Sequence, residues 1–271
     1  MPIFVLLLGL LIAGAFAGLL AGLLGIGGGI VIVPALFTLF SVLEVDPAVR
    51  MPLAVGTSLS TIIVTATMSA RSHYHRGAVD LALLRSWAPW ILVGVIIGSV
   101  VARFAPQGVM LLVFATVALI VAGYMALAPE GVRLADDLPR GPVRWVIASL
   151  IGGVSSIMGI GGGTLSVPTL TLCSYPVRRA VGTGAAIGLL IAVPATVGMM
   201  AAGWGRVGLP TGSIGFVNVL GFAVLVPMTA LMAPVGVRLA HRIPPRWLRR
   251  AFAAFLLLTA LRMYADWFAL A

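Results

Sequence analysis

The sequence predicts an all-α polytopic membrane protein, two inverted five-segment repeats each beginning with a Gly-broken helical hairpin. Three observations predict it. Hydrophobic residues fill 61% of the 271 positions and charged residues only 9%, against roughly a quarter charged in an ordinary soluble domain. The segment Gly-Ile-Gly-Gly-Gly occurs twice, at 25–29 and 159–163, with Val33-Pro34 and Val167-Pro168 following at the same offset. The arginines become strongly one-sided once each Gly segment is read as the tip of a hairpin.

The composition excludes several classes. Apolar runs long enough to cross a bilayer, about 17–25 residues, recur along the chain, and the longest polar interruption is Pro129 to Arg144. The formal net charge of +10 does not indicate nucleic-acid binding, because the basic residues sit at the ends of apolar runs, where they set topology. The lone Cys173 rules out an intramolecular disulfide and argues against a cysteine-based metal cluster. Met1 to Leu24 lacks a basic leader and continues into the repeated motif, so it is expected to be a mature span. No H-E-x-x-H, G-x-S-x-G or embedded Asp pair suggests an intramembrane enzyme. No cofactor or metal is expected.

The duplication runs beyond the Gly segments. Ala54-Val55-Gly56-Thr57 matches Ala180-Val181-Gly182-Thr183, and Pro89, Gly98, Ala102 and Pro106 match Pro227, Gly236, Ala240 and Pro244. If each Gly segment lay inside one straight crossing, the arginines would divide almost evenly between the two sides. With each segment as a hairpin tip, only Arg50, Arg103, Arg206 and Arg262 fall on one side and the other thirteen of the seventeen on the opposite one. That asymmetry marks a cytoplasmic face. It predicts both termini on the opposite, outer side. An odd number of segments per half then makes the repeats inverted, as in many secondary transporters.

Ten segments follow in order. The first repeat, residues 1–128, holds 3–24, 30–43, 52–70, 86–103 and 108–127. A cytoplasmic linker spans 129–144. The second repeat, 145–271, holds 145–158, 164–174, 180–201, 214–240 and 248–269. Trp87, Trp145, Trp204, Trp247 and Trp267 lie near segment ends, the place of an interfacial belt. Segments flanking the Gly breaks are short, 145–158 and 164–174 reaching about halfway to two-thirds of the way through a hydrocarbon core of roughly 30 Å, so each hairpin is expected to end inside the membrane, where irregular backbone must be buried in protein or line a wet cavity.

The breaks carry the candidate binding residues: Gly27, Gly28, Gly29 and Ile30 at one, Gly161, Gly162, Gly163 and Thr164 at the other. Each begins a half-helix whose first N–H groups and positive dipole end suit a small anion. Thr57, Ser58 and Thr183, with Ser60, Thr61 and Ser166, offer hydroxyls nearby. Other glycines at small-xxx-small spacing, such as Gly14, Gly18, Gly94, Gly98, Gly184 and Gly188, are expected to serve helix packing. His73 and His75, in the run Arg71 to Arg76, and Arg103 are candidates for substrate access or proton coupling. A solvated loop and an interfacial anchor are their plainer readings. All seven acidic residues lie at or near segment ends, so no intramembrane proton relay stands out.

The stretch Gly22-Leu23-Leu24-Gly25-Ile26-Gly27-Gly28-Gly29 with Val33-Pro34, repeated at Gly152 to Pro168, resembles the sulfite exporter TauE/SafE family, also called the toluenesulfonate uptake permease family. The resemblance covers essentially the whole chain. It implies a bacterial-type inner-membrane transporter of small sulfur-containing anions: sulfite, sulfoacetate, other organosulfonates or thiosulfate-like species. The residues themselves argue only for a small anion. An anion-selective channel or a permease for another small anion is the alternative, and a coupling proton or ion and a homodimer are left open. Gly184 stands where Ser58 does in the other half, and Thr164 where Ile30 does, so any two-fold site is asymmetric.

Overall fold

A computed structural model describes residues 2–24, 28–127, 134–240 and 243–269. Among them, ten helices follow one another: α1 Pro2–Leu24, α2 Gly29–Val42, α3 Pro47–His75, α4 Leu81–Phe104, α5 Gln107–Leu127, α6 Gly141–Met158, α7 Gly162–Leu172, α8 Val177–Ala202, α9 Val219–Ala240 and α10 Pro245–Phe268. Between α8 and α9 lies a two-stranded antiparallel ribbon, β1 Ser213–Ile214 and β2 Val217–Asn218. The ten expected segments are therefore all helical. The ribbon is the correction: expected helix from 214 begins only at 219, because Gly212 and Gly215 adopt positive φ and turn the chain first.

Local chemistry explains several boundaries. Asp46 caps α3 by accepting the Ala48 N–H at 2.9 Å, with Pro47 at the first helical position. Asp80 caps α4 through the Leu83 N–H at 3.0 Å, and Asn218 caps α9 through the Gly221 N–H at 2.7 Å. Among the described residues, seven helices are long and apolar enough to cross a membrane: α3, α4, α5, α6, α8, and the main parts of α9 and α10. The short α2 and α7, 14 and 11 residues, extend only about 21 and 16 Å.

Both Gly breaks close true hairpins. A groove lined by Phe4 of α1 and Val42 of α2 puts the two ends of the first hairpin side by side. A polar cavity of about 500 Å³ lined by Arg140, Arg144, Cys173 and Ser174 does the same for the second. Residues preceding α6 are pinned there. The Leu134 and Ala135 N–H groups donate to the Leu172 carbonyl at 2.8 and 3.2 Å, and Ser174 Oγ donates to the Ala135 carbonyl at 2.9 Å.

Helix pairs form across the midpoint of the sequence: α1 packs on α9, α6 on α4, and α10 on α5, around a central pair α3 and α8. Small residues permit the closest approaches. A Cβ at Gly152 of α6 would strike the Ile91 carbonyl of α4, and one at Gly18 of α1 would lie 2.7 Å from the Thr229 carbonyl of α9. Gly94 and Gly98 likewise face Ser149 and Gly153. Gly18, Gly94 and Gly98 serve packing, as expected, and Gly152 does the same. The core centres on α3, where residues from Met51 to Ile62 are all buried.

One tryptophan departs from the expected belt. Trp145, Trp204 and Trp247 are exposed at helix ends, but Trp87 is only 1% exposed. It sits under the residues that lead into α6, beside Leu138 and Pro139, so a position near a segment end was also a position beneath a loop. Trp90, one turn on, stacks on Trp145 with ring centroids 4.7 Å apart.

Candidate functional site

The second break is the better defined. Helix α6 ends at Gly159, φ 68°, whose N–H and that of Ile160 both reach back to the Ser155 carbonyl. Gly159 is in left-handed conformation and pressed on α3: a Cβ there would lie 2.8 Å from the Val55 Cα and 2.9 Å from a Val33 methyl. Only glycine meets both demands. Ser58 Oγ of α3 then donates to the Gly159 carbonyl at 2.8 Å, fully buried. Helix α7 restarts at Gly162.

The first break meets it. Gly28, φ 72°, caps α2, and its carbonyl accepts from the Val31 and Ile32 N–H groups at 3.0 Å each. A Cβ on Gly29 would stand 2.9 Å from the Gly159 carbonyl and 3.1 Å from the Ile160 Cα. The two tips are in van der Waals contact, with Ile62 of α3 wedged against Gly29 and Gly161. Ile30 and Thr164 are both buried beside them. Gly25 to Gly27, including the candidate Gly27, lie outside the described residues.

Beside this junction is a cavity of about 30 Å³, lined by Ile62, Thr65, Ala66 and Ser69 of α3, Gly161 to Gly163, and Gly184, Ala185 and Gly188 of α8. It has room for a water or two. No lining side chain is ionisable, so the N-terminal end of α7 supplies its main positive potential. Thr65 and Ser69 were not foreseen in the sequence. Thr61, Thr65 and Ser69 recur every fourth residue along α3, and that spacing was the available signal.

Three expected hydroxyl ligands are engaged elsewhere. Thr57 Oγ1 accepts the Asn218 N–H at 2.9 Å, and Thr183 Oγ1 accepts the Asp80 N–H at 2.9 Å. These are matching positions in the two halves, each holding the start of the fourth helix of the other half. Their glycine neighbours match too: Gly56 abuts the Phe216 carbonyl and Gly182 the Ala78 carbonyl. Ser58 holds the second break together and does not face the cavity as a free donor. The Ser60, Thr61 and Ser166 hydroxyls donate to carbonyls of their own helices.

Asp80 has further partners. Its Oδ2 accepts from the Tyr175 hydroxyl at 2.5 Å and lies 3.3 Å from the Arg179 guanidinium. The Leu83 N–H and the Tyr175 hydroxyl, with Arg179 assisting, hold the Asp80 carboxyl below its usual range despite its partial burial. Burial and the bond to Asp80 push Tyr175 up to about 12, so it stays a donor. His73 is half-buried and His75 exposed at the end of α3, while Arg103 is exposed over the Phe104 ring at the end of α4. None of the three reaches the breaks. No metal-ligating cluster occurs among the described residues.

The bundle is one of apolar helices in which two Gly-broken hairpins meet, and its relatives are membrane transporters, not enzymes. The particular family is equally plain: the profile of the sulfite exporter TauE/SafE family matches residues 10–263, and the chain belongs to that family. It is 32% identical over 255 residues to a probable membrane transporter protein of Haemophilus influenzae, covering 94% of this chain and 96% of that one. It is 26% identical over 268 residues to a probable membrane transporter of Methanocaldococcus jannaschii, covering 93% and 94%. A Bacillus subtilis probable membrane transporter is 28% identical over 217 residues, 72% and 78% of the two chains. No solved structure matches the chain.

Proposed function

We propose that this protein is a secondary transporter that moves small sulfur-containing anions, such as sulfite, sulfoacetate or another organosulfonate, across the bacterial inner membrane. The substrate is held near the midplane, where the two Gly breaks meet. The observation that carries this reading is the junction itself: Gly29 rests against Gly159, and the α7 helix start opens onto a hydroxyl-lined cavity alongside. A backbone cradle of that kind recognises anionic oxygens without a fixed side-chain charge. The family's name supplies the sulfur chemistry.

Alternating access between inverted repeats is the mechanism. The reciprocal contacts of Thr57 with Asn218 and Thr183 with Asp80 favour it, as do the matching approaches of Gly18 and Gly152. At about 30 Å³ the cavity is closed to a solute larger than water, so this reading makes the structure an occluded form. The arginine-rich face is cytoplasmic and both termini are periplasmic.

Flux of sulfite and sulfoacetate into proteoliposomes tests the proposal. Gly161 has extended backbone, and a Cβ there would come no closer than 3.5 Å to Ile62, so Gly161→Val fills the cavity without striking the main chain. Transport is expected to fall at least about tenfold, the equivalent of 1.4 kcal/mol, in a protein that still folds. Unimpaired affinity and rate in that variant would place the site elsewhere, and no flux of any anion by the parent protein would remove the substrate assignment.

A further inference from the structure

We infer that the segment Arg76 to Asp80 is a gate strapped across the route from the Gly-break cavity to the arginine-rich face, held shut by Asp80 on Tyr175, Arg179 and Thr183. The inference rests on the proposed role of the cavity. That cavity lies between α3 and α8. From Ser69, α3 continues to its end at His75; from Gly184, α8 runs back to its start at Val177. A path to this face therefore passes between the last turns of α3 and the first turns of α8.

The strap closes that path. Its Ala78 is buried, and the Ala78 carbonyl sits where a Cβ on Gly182 would be 2.5 Å away. Two residues on, Asp80 donates its N–H to Thr183, accepts from the Tyr175 hydroxyl and forms an ion pair with Arg179. Tyr175 and Arg179 precede the cavity-lining part of α8, so these bonds tie α4's start to the helix that must part from α3.

The opposite face has the same fastening in neutral form. Phe216 and Asn218 occupy the places of Ala78 and Asp80, and the Asn218 amide donates to Ser213 Oγ at 3.1 Å and to the Thr211 carbonyl at 3.4 Å. An amide bonded within its own loop gains nothing from opening. The charged pair differs: Arg179 is already 51% exposed and Asp80 16%, so both can be hydrated when they separate, and the bridge costs little to break. The ionic fastening is thus the one suited to repeated release.

The test uses a thiol placed in the cavity, Ser69→Cys in a Cys173→Ser background, and a membrane-impermeant thiol reagent applied to each face of sealed vesicles. Asp80→Asn keeps the helix cap, as Asn218 does in the other half, but removes the charge; Tyr175→Phe removes the donor. Each is expected to speed labelling of position 69 at least tenfold from the arginine-rich face and to leave the other face unchanged. Unaltered labelling in both variants, each shown to be folded by its elution and melting, overturns the gate. Faster labelling from both faces overturns it too, since that reports general loosening. Should labelling respond as expected while the parent moves no anion, the gate stands and the substrate reading falls.

Discussion

At the scale of single residues, Asp80 illustrates how one carboxylate acquires several roles. It caps α4, bonds across to α8 and carries a charge held below the ordinary Asp value of 3.8. A lowered folded-state value stabilises the fold fully above about pH 4, and that stability is lost as pH falls through the folded value. Melting temperature measured from pH 5 to pH 2.5 should drop through this window in the parent protein, and Asp80→Asn should lose the part of the slope that Asp80 causes. Equal slopes would mean that other acids dominate. Thr57 and Thr183 show what the sequence could and could not reveal. Their repetition was legible; their direction was not, since their partners lie 161 and 103 residues away and a hydroxyl beside a glycine suits an anion or a helix start equally well.

At the scale of elements, the hairpins were legible because two signals agreed: a short apolar run after each Gly segment, α2 and α7 in the structure, and arginines that sorted only when those runs turned back. The ribbon before α9 escaped because two-residue strands have no periodicity to detect. Packing glycines make a sharp prediction. Gly152→Val puts a side chain into the Ile91 carbonyl, and backbone cannot rotate aside as a side chain can. A loss of about 1–3 kcal/mol is expected, read as earlier unfolding of the purified protein. Gly123 in α5 has nothing within 4 Å of an added Cβ, so Gly123→Ala should be neutral or slightly stabilising through helix propensity, by up to about 1 kcal/mol. The same response from both variants would contradict the close-packing account.

At the scale of the whole molecule, the two repeats are not separable bodies. Each hairpin's first limb packs against a helix of the other half, α1 on α9 and α6 on α4, and the last helices α5 and α10 pair as well. Sequence comparison made the repeats look like two tandem units joined by a linker, because similarity along a chain says nothing about which copies touch. Cutting the chain within 129–144 should therefore give halves that accumulate in the membrane only when produced together. Stable accumulation of 1–128 alone, resistant to proteolysis, would refute the interlocked arrangement.

The α1–α9 pairing also sets a waiting time during synthesis. Gly18 must hold its place for Thr229, 211 positions further along the chain, and at roughly 5–20 residues per second the ribosome needs about 10–40 s to supply it. Through that interval the first hydrophobic segment resides in the bilayer with its glycine seam facing lipid. The later-made α9 thus decides whether α1 is ever seated, and a ribosome stalled before Thr229 leaves α1 without its partner.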